Sequence, residues 1–189
     1  MFRGIVSLWL ALALCGCLGG ERVKLDAKSP PAPKSASLQP VAISVSDDRE
    51  EVKSGEQKEW HLGEAPGGHG KELSNHQLVP LHAQLRDDLS DELKSLGFDV
   101  VSENKVRRLE VSIREWRFDA ATRVLRYRIE GEVRERDDGA VLAQSMLGDD
   151  VVIGGGNDKA TKNELKSVYV TVVHRVVREN PTVLSALQR

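Results

Sequence analysis

Four histidines, His61, His69, His76 and His82, gather in one polar stretch of this 189-residue chain, and imidazoles so placed could ligate a metal. Their successive spacings of eight, seven and six residues match no compact ligand motif, and no cysteine stands among them. They are therefore expected to be loop histidines, with no metal and no cofactor held. His174 lies in an apolar-periodic segment and reads as a helix-face residue, not a base. Gly154-Gly155-Gly156 could cradle an anion on free amides, but it lacks the Lys-Ser/Thr of a phosphate loop. No serine sits in a Gly-x-Ser-x-Gly elbow, and no nucleophile, base and orienter come together. The chain is expected to have no catalytic residues. Arginines are the remaining candidates. Arg108, Arg114, Arg126, Arg128 and Arg134 alternate with apolar residues and share strands with Glu110, Glu130 and Glu132. Cross-strand pairing would make them an ordinary wet face. Otherwise Arg114, Arg126, Arg128 and Arg134 are the candidate surface for an envelope protein or an anionic cell-wall polymer.

The elements that would position these residues follow from periodicity. Val41, Ile43 and Val45 alternate as a first strand, and residues 46–77 are polar and Gly-rich, with a short strand at Glu59 to Leu62 and a mobile loop at Ala65 to Gly70. Leu78, Leu81, Leu85, Leu89, Leu93 and Leu96 recur every three or four residues, which predicts an amphipathic helix over 79–96, stopped by Gly97. Phe98 to Val101 is a short strand. Leu109, Val111 and Ile113 alternate, but Trp116 and Phe118 break the parity, so a bulge is expected near Arg114-Glu115. Leu125 to Arg134 alternates again, Asp138-Gly139 marks a tight turn, and Ala140 to Ile153 gives a third long strand. Leu165, Val168, Val172 and Val176 predict a second helix over 159–178, and Asn180-Pro181 caps a last one reaching Leu187. The fold class expected is α+β: a single domain over 41–189, mostly an antiparallel meander packed by two main helices.

The N-terminus carries a different kind of chemistry. Arg3 is followed by an apolar run from Ile5 to Leu14, too short for a permanent membrane span. Leu14-Cys15-Gly16-Cys17 then resembles the bacterial lipobox, with an aliphatic residue at −3 and a small one at −1 of Cys17. Cys15 fits less well, because bulky Leu14 precedes it. The resemblance implies a lipoprotein signal peptide over 1–16, cleavage after Gly16 and acylation of Cys17, so that the membrane is engaged through an N-terminal lipid. Leu18 at the next position, in place of Asp, implies the outer membrane facing the periplasm, with the periplasmic face of the inner membrane as alternative. Residues 17–40 are expected to be the lipidated terminus and a flexible Pro/Ser/Lys linker. Such a spacer could hold the domain up to about 70 Å from the bilayer. Both cysteines precede residue 18, so the mature domain has no internal disulfide.

The chain carries 27 basic and 29 acidic residues, and only Arg3 falls in the signal. This near-neutral balance lacks the basic footprint of nucleic-acid binding. The pattern as a whole resembles the YajG-type family of uncharacterised bacterial lipoproteins. The matching pieces are the lipobox, Val41-Ala42-Ile43-Ser44-Val45-Ser46-Asp47-Asp48-Arg49, the Leu-spaced helix ending in Leu96-Gly97-Phe98-Asp99-Val100, Leu109-Glu110-Val111-Ser112-Ile113 with its hairpin, and the helix from Asn163 closing with Pro181 to Leu187. The resemblance implies an α+β domain with a cell-envelope role and supplies no catalytic residues. The function expected is that of a membrane-anchored, non-enzymatic scaffold or assembly component. The alternative is a periplasmic binding module for a small ligand, glycan fragment or lipid.

Overall fold

The computed structural model describes residues 20–29, 39–65, 71–102, 106–135, 139–154 and 156–188. The expected signal peptide, Cys17, the segment 66–70 with His69, and Asp138 of the expected turn lie outside them.

Three long strands form the body of the sheet: β6 (Arg107–Asp119), β7 (Val124–Arg134) and β8 (Val141–Val152), after β1 (Glu21–Val23), β2 (Gln39–Asp47), β3 (His61–Glu64), β4 (Glu72–Asn75) and β5 (Phe98–Val100). The expected meander is present, since β6–β7 and β7–β8 pair antiparallel. The sheet as a whole is nevertheless mixed. β2 runs parallel to β6, β5 parallel to β2, and β1 parallel to β4. The reason is the long connection out of β2. It lets the chain return through α2 (Leu81–Ser95) and β5 before entering β6, and a helical crossover delivers parallel strands. The parity break in β6 is the expected bulge, a register shift between Ile113 and Glu115. It turns Trp116 and Phe118 back into the core, where Trp116 meets Tyr127 at 6.0 Å and the edge of Tyr169 at 5.8 Å between ring centroids.

The helices cover the inner face. In α2 the buried stripe is Leu81, Leu85, Leu89 and Leu93. Leu78 falls outside it, because residues His76–Leu78 form a short 3₁₀ turn and Pro80 resets the chain before the helix begins. Gly97, at φ 90°, ends the helix by entering the left-handed region. In α3 (Asp158–Val176) the buried residues are Thr161, Leu165, Tyr169, Val172, Val173 and Val176, and the Asn157 carboxamide accepts from the Ala160 amide at 3.0 Å. α4 (Pro181–Gln188) is capped as expected, with Asn180 Oδ1 accepting from Val183 N at 3.1 Å. A fourth helix, α1 (Glu50–Lys53), is a single turn.

Two regions depart from the sequence reading. The polar stretch 46–77 holds α1, β3 and β4 as well as loop. More consequentially, part of the expected linker belongs to the fold. β1 pairs with β4 from Glu21 to Val23, and Val23, Leu25 and Ala27 are buried in the core. Ser29 Oγ donates to Glu92 at 2.6 Å, and Lys162 and Lys166 of α3 pair with Glu21 and Asp26. The domain's first strand is thus β1, and β2 starts two residues earlier than alternation suggested.

Candidate docking face

β6 has one edge against β7 and another that two strands share. β2 pairs with residues 107–113, while β3 takes over at Phe118 through Gly63. The bulge lies in the gap between them, where the β6 edge would be left with unpaired backbone. Arg49, immediately after β2, fills that gap and is fully buried. Its Nε and Nη2 donate to the Asp47 carboxylate at 2.8 and 2.7 Å. Nη1 donates to the carbonyls of His61 at 2.6 Å and Trp116 at 3.4 Å, and Nη2 also to the carbonyl of Glu59 at 3.0 Å. A planar fork of donors replaces ladder hydrogen bonds that neither strand can make. Gly63 makes the close approach possible: a Cβ there would stand 2.1 Å from the Phe118 carbonyl oxygen, and φ is 128°.

Outward from this junction the sheet presents its polar face. Arg114 is held twice, by Glu130 at 2.7 Å and by Asp48 at 3.1 Å. Asp48 also takes Lys53 at 2.8 Å, and that hydrogen bond holds its carboxyl below the ordinary aspartate range. Arg134 bridges Glu110 at 2.8 Å and Glu132, and Arg108 reaches Glu110 at 3.1 Å. Arg126 contacts Asp150 at 3.3 Å, with both side chains largely exposed. Cross-strand pairing therefore accounts for Arg114, Arg126 and Arg134, in solvent-exposed pairs of a kind that add little to stability.

Arg128 is the exception among the four candidates. No side-chain hydrogen bond or ion pair is formed by it among the described residues, although Glu115 stands directly across in register. Arg117, which the sequence reading passed over, is similarly exposed and forms no side-chain hydrogen bond or ion pair among them, its charge acting on Asp119 two residues along. It lies directly opposite Arg126, and like charges in that relation repel. Arg117, Arg126 and Arg128 thus form a basic cluster at one end of the face. Arg117 and Arg128 also line a cleft of about 630 Å³ with Arg114 and Lys53, facing the carboxylates of Asp48, Glu50, Glu51, Glu115 and Glu130. The parity shift at the bulge was the signal that put Arg117 on this face.

The other sequence candidates are placed apart. His61 Nδ1 lies 2.8 Å from Glu72, His76 is exposed, and His174 sits 3.9 Å from Glu92. No group of three or more potential ligands is assembled among the described residues. At the glycine run, the Glu164 carboxylate accepts from the Gly154 amide at 2.6 Å, so the chain's own anion occupies that amide. Two carboxylates lie inside instead. Asp88 is raised by burial, against hydrogen bonds from Tyr169 at 2.7 Å and Gln84 at 3.0 Å. Burial acts on Glu92 in the same direction, but the Arg178 and Ser29 hydrogen bonds outweigh it and hold the carboxyl low.

No protein-family model matches the chain, and no curated protein matches it in sequence. Among solved structures, a Xanthomonas campestris protein under the DUF330 family model is similar at a TM-score of 0.61 and 12% identity, covering 88% of this chain and 97% of that one. A second, described as an uncharacterized protein, gives 0.52 and 11%, covering 85% and 97%. The likeness is one of fold. It spans the sheet and helices together and supports one mixed α/β domain. Neither description names the YajG-type family, so that resemblance rests on the sequence pieces that carry it.

Proposed function

We propose that this chain is a bacterial envelope lipoprotein of the YajG type it resembles, anchored through Cys17 in the outer membrane and facing the periplasm. Its domain acts without catalysis, as a scaffold or assembly component that docks an anionic partner on the β6–β7 face. One observation carries the docking reading. Arg117 and Arg126 are set directly opposite each other with Arg128 beside them, and of the three Arg126 alone forms an ion pair among the described residues. A repulsive arrangement on an exposed face is relieved when a partner brings carboxylates or phosphates to it. No helix among the described residues is long and apolar enough to cross a membrane.

The test uses a photocrosslinking residue at position 115, opposite Arg128, in intact cells. A discrete adduct with an acidic envelope protein or wall polymer is expected, and Arg117→Glu combined with Arg128→Glu should abolish it. An adduct pattern indifferent to those charge reversals would remove the docking role. The cleft beside Arg128, whose lining mixes four cations with five carboxylates, favours one second reading, a small polar ligand such as a glycan fragment. Native mass spectrometry of the delipidated domain would show it as a copurifying mass lost on Arg128→Ala.

A further inference from the structure

The position at which the chain enters the fold bears on how the anchor works. Gly20 is already placed against β4, with the Glu72 carbonyl oxygen 3.0 Å from where a Cβ would stand. From there to Ser29 the chain is fastened by the β1–β4 pairing, by burial of Val23, Leu25 and Ala27, by the Lys162–Glu21 and Lys166–Asp26 ion pairs, and by Ser29 on Glu92. The Pro-rich segment 30–38 is bracketed by Ser29 and Gln39, both within the fold. It connects two parts of one domain and cannot serve as the tether.

Resting on the lipidation reading above, we infer that Cys17 holds the domain flush against the bilayer by one defined pole. Three residue steps separate Cys17 from Gly20, and fully extended they span about 11 Å at most. Strand directions identify the pole. β1 and β4 begin where β3 ends, and β3 runs parallel to β6. The start of β1 therefore shares an end of the sheet with the β6–β7 turn at 120–123, the end of β8 and the start of α3. Ile153 N donates to the Arg123 carbonyl at 2.8 Å, tying that end together. Its exposed residues include Ala121, Thr122, Gly154 and Asn157, which are small or polar, and Val152 at 73% exposure, a surface that suits contact with headgroups and the acyl boundary beneath them. The opposite pole holds Arg107, Leu142 and α4, joined by Arg107 Nη1 donating to the Ala186 carbonyl at 3.1 Å. The length of β6 places it about 40 Å away. Arg117, Arg126 and Arg128 then lie near the membrane end, so their partner is met close to the bilayer surface.

The mature chain keeps only Cys17, whose sulfur is acylated, so single cysteines at Thr122 and Ser185 can carry a fluorophore without competition. The acylated protein is reconstituted in phosphatidylethanolamine–phosphatidylglycerol vesicles that carry a headgroup quencher. With about 40 Å of strand between the poles, quenching at position 122 should exceed that at 185 by about tenfold. Inserting about twenty Gly-Ser residues between Leu18 and Gly19 gives a coil of about 25 Å and should bring the two labels together. Equal quenching at native length would overturn the inference. Failure to float with vesicles, or flotation that survives Cys17→Ser, would instead overturn the anchor itself.

Discussion

Arg49→Ala should be the most damaging single polar substitution in this domain. The side chain is fully buried and its partner Asp47 nearly so, at 0% and 3% side-chain exposure. Truncation strands a buried carboxylate and removes a donor from the carbonyls of His61, Trp116 and Glu59, the last of which keeps the Leu81 amide at 3.0 Å. Removing one member of a buried pair typically costs about 3–5 kcal/mol, most of it the desolvated partner charge. We expect about 4 kcal/mol, read by urea unfolding of the non-acylated mature chain followed by tryptophan fluorescence, for which buried Trp116 is a local reporter. At a slope of about 2 kcal/mol per molar urea, the midpoint should fall by about 2 M. Arg49→Lys keeps a charge for Asp47 but loses the planar fork, and should fall between. The double variant Asp47→Leu/Arg49→Met removes both charges and should recover a large part of the loss, because no ion is left unpaired. A midpoint drop under about 0.5 M for Arg49→Ala would refute the reasoning, since it would mean that the fork between β2 and β3 is closed by other contacts.

Three further outcomes are expected. Gly63→Ala should cost about 3 kcal/mol or more, because its Cβ would meet the Phe118 backbone at a positive φ, whereas Gly139→Ala, with open space around it, should cost about 1 kcal/mol; comparable midpoints for both would contradict the strand junction. Glu92 has a lowered carboxyl pKa, so its stabilisation is present above the ordinary value and lost as pH falls through the lowered one. Glu92→Gln should therefore destabilise at pH 7 by about 1.5–3 kcal/mol, with the gap to the unaltered chain closing below about pH 4. Asp88 is raised by burial, so its effect has the opposite sign: stability is lost as pH rises through its raised value. Asp88→Asn, which keeps an acceptor for Tyr169, should gain on the unaltered chain between pH 4 and pH 7, as measured by thermal midpoints across that range; parallel curves would refute the assignment.

The difference between what the residues announced and what they concealed has a physical cause. The Leu81–Leu93 stripe, the β6 bulge and the Asn180 cap are local signals, because period and capping chemistry act within one element. The Arg–Glu face was legible for the same reason, since alternation in β6 and β7 puts those side chains on one side. The β2–β6 parallel pairing and the fork were not, because pairing between distant segments is decided by tertiary packing that no local period records. Arg49 looked like one more charge in a polar turn; only the vacancy between β2 and β3 makes its burial favourable. The N-terminal segment is the most instructive case. Val23-Lys24-Leu25-Asp26-Ala27 alternates with strand period, and that signal was available, but the prolines after Ser29 made the whole stretch read as spacer. Composition describes what a segment can do alone. Here α3 supplies Lys162 and Lys166 to meet Glu21 and Asp26, so the charges that favoured a solvated linker instead fasten it to the domain. Under the proposed lipid anchor a two-dozen-residue leash becomes a three-step one, and the proposed partner of the arginine cluster would be met at the membrane surface.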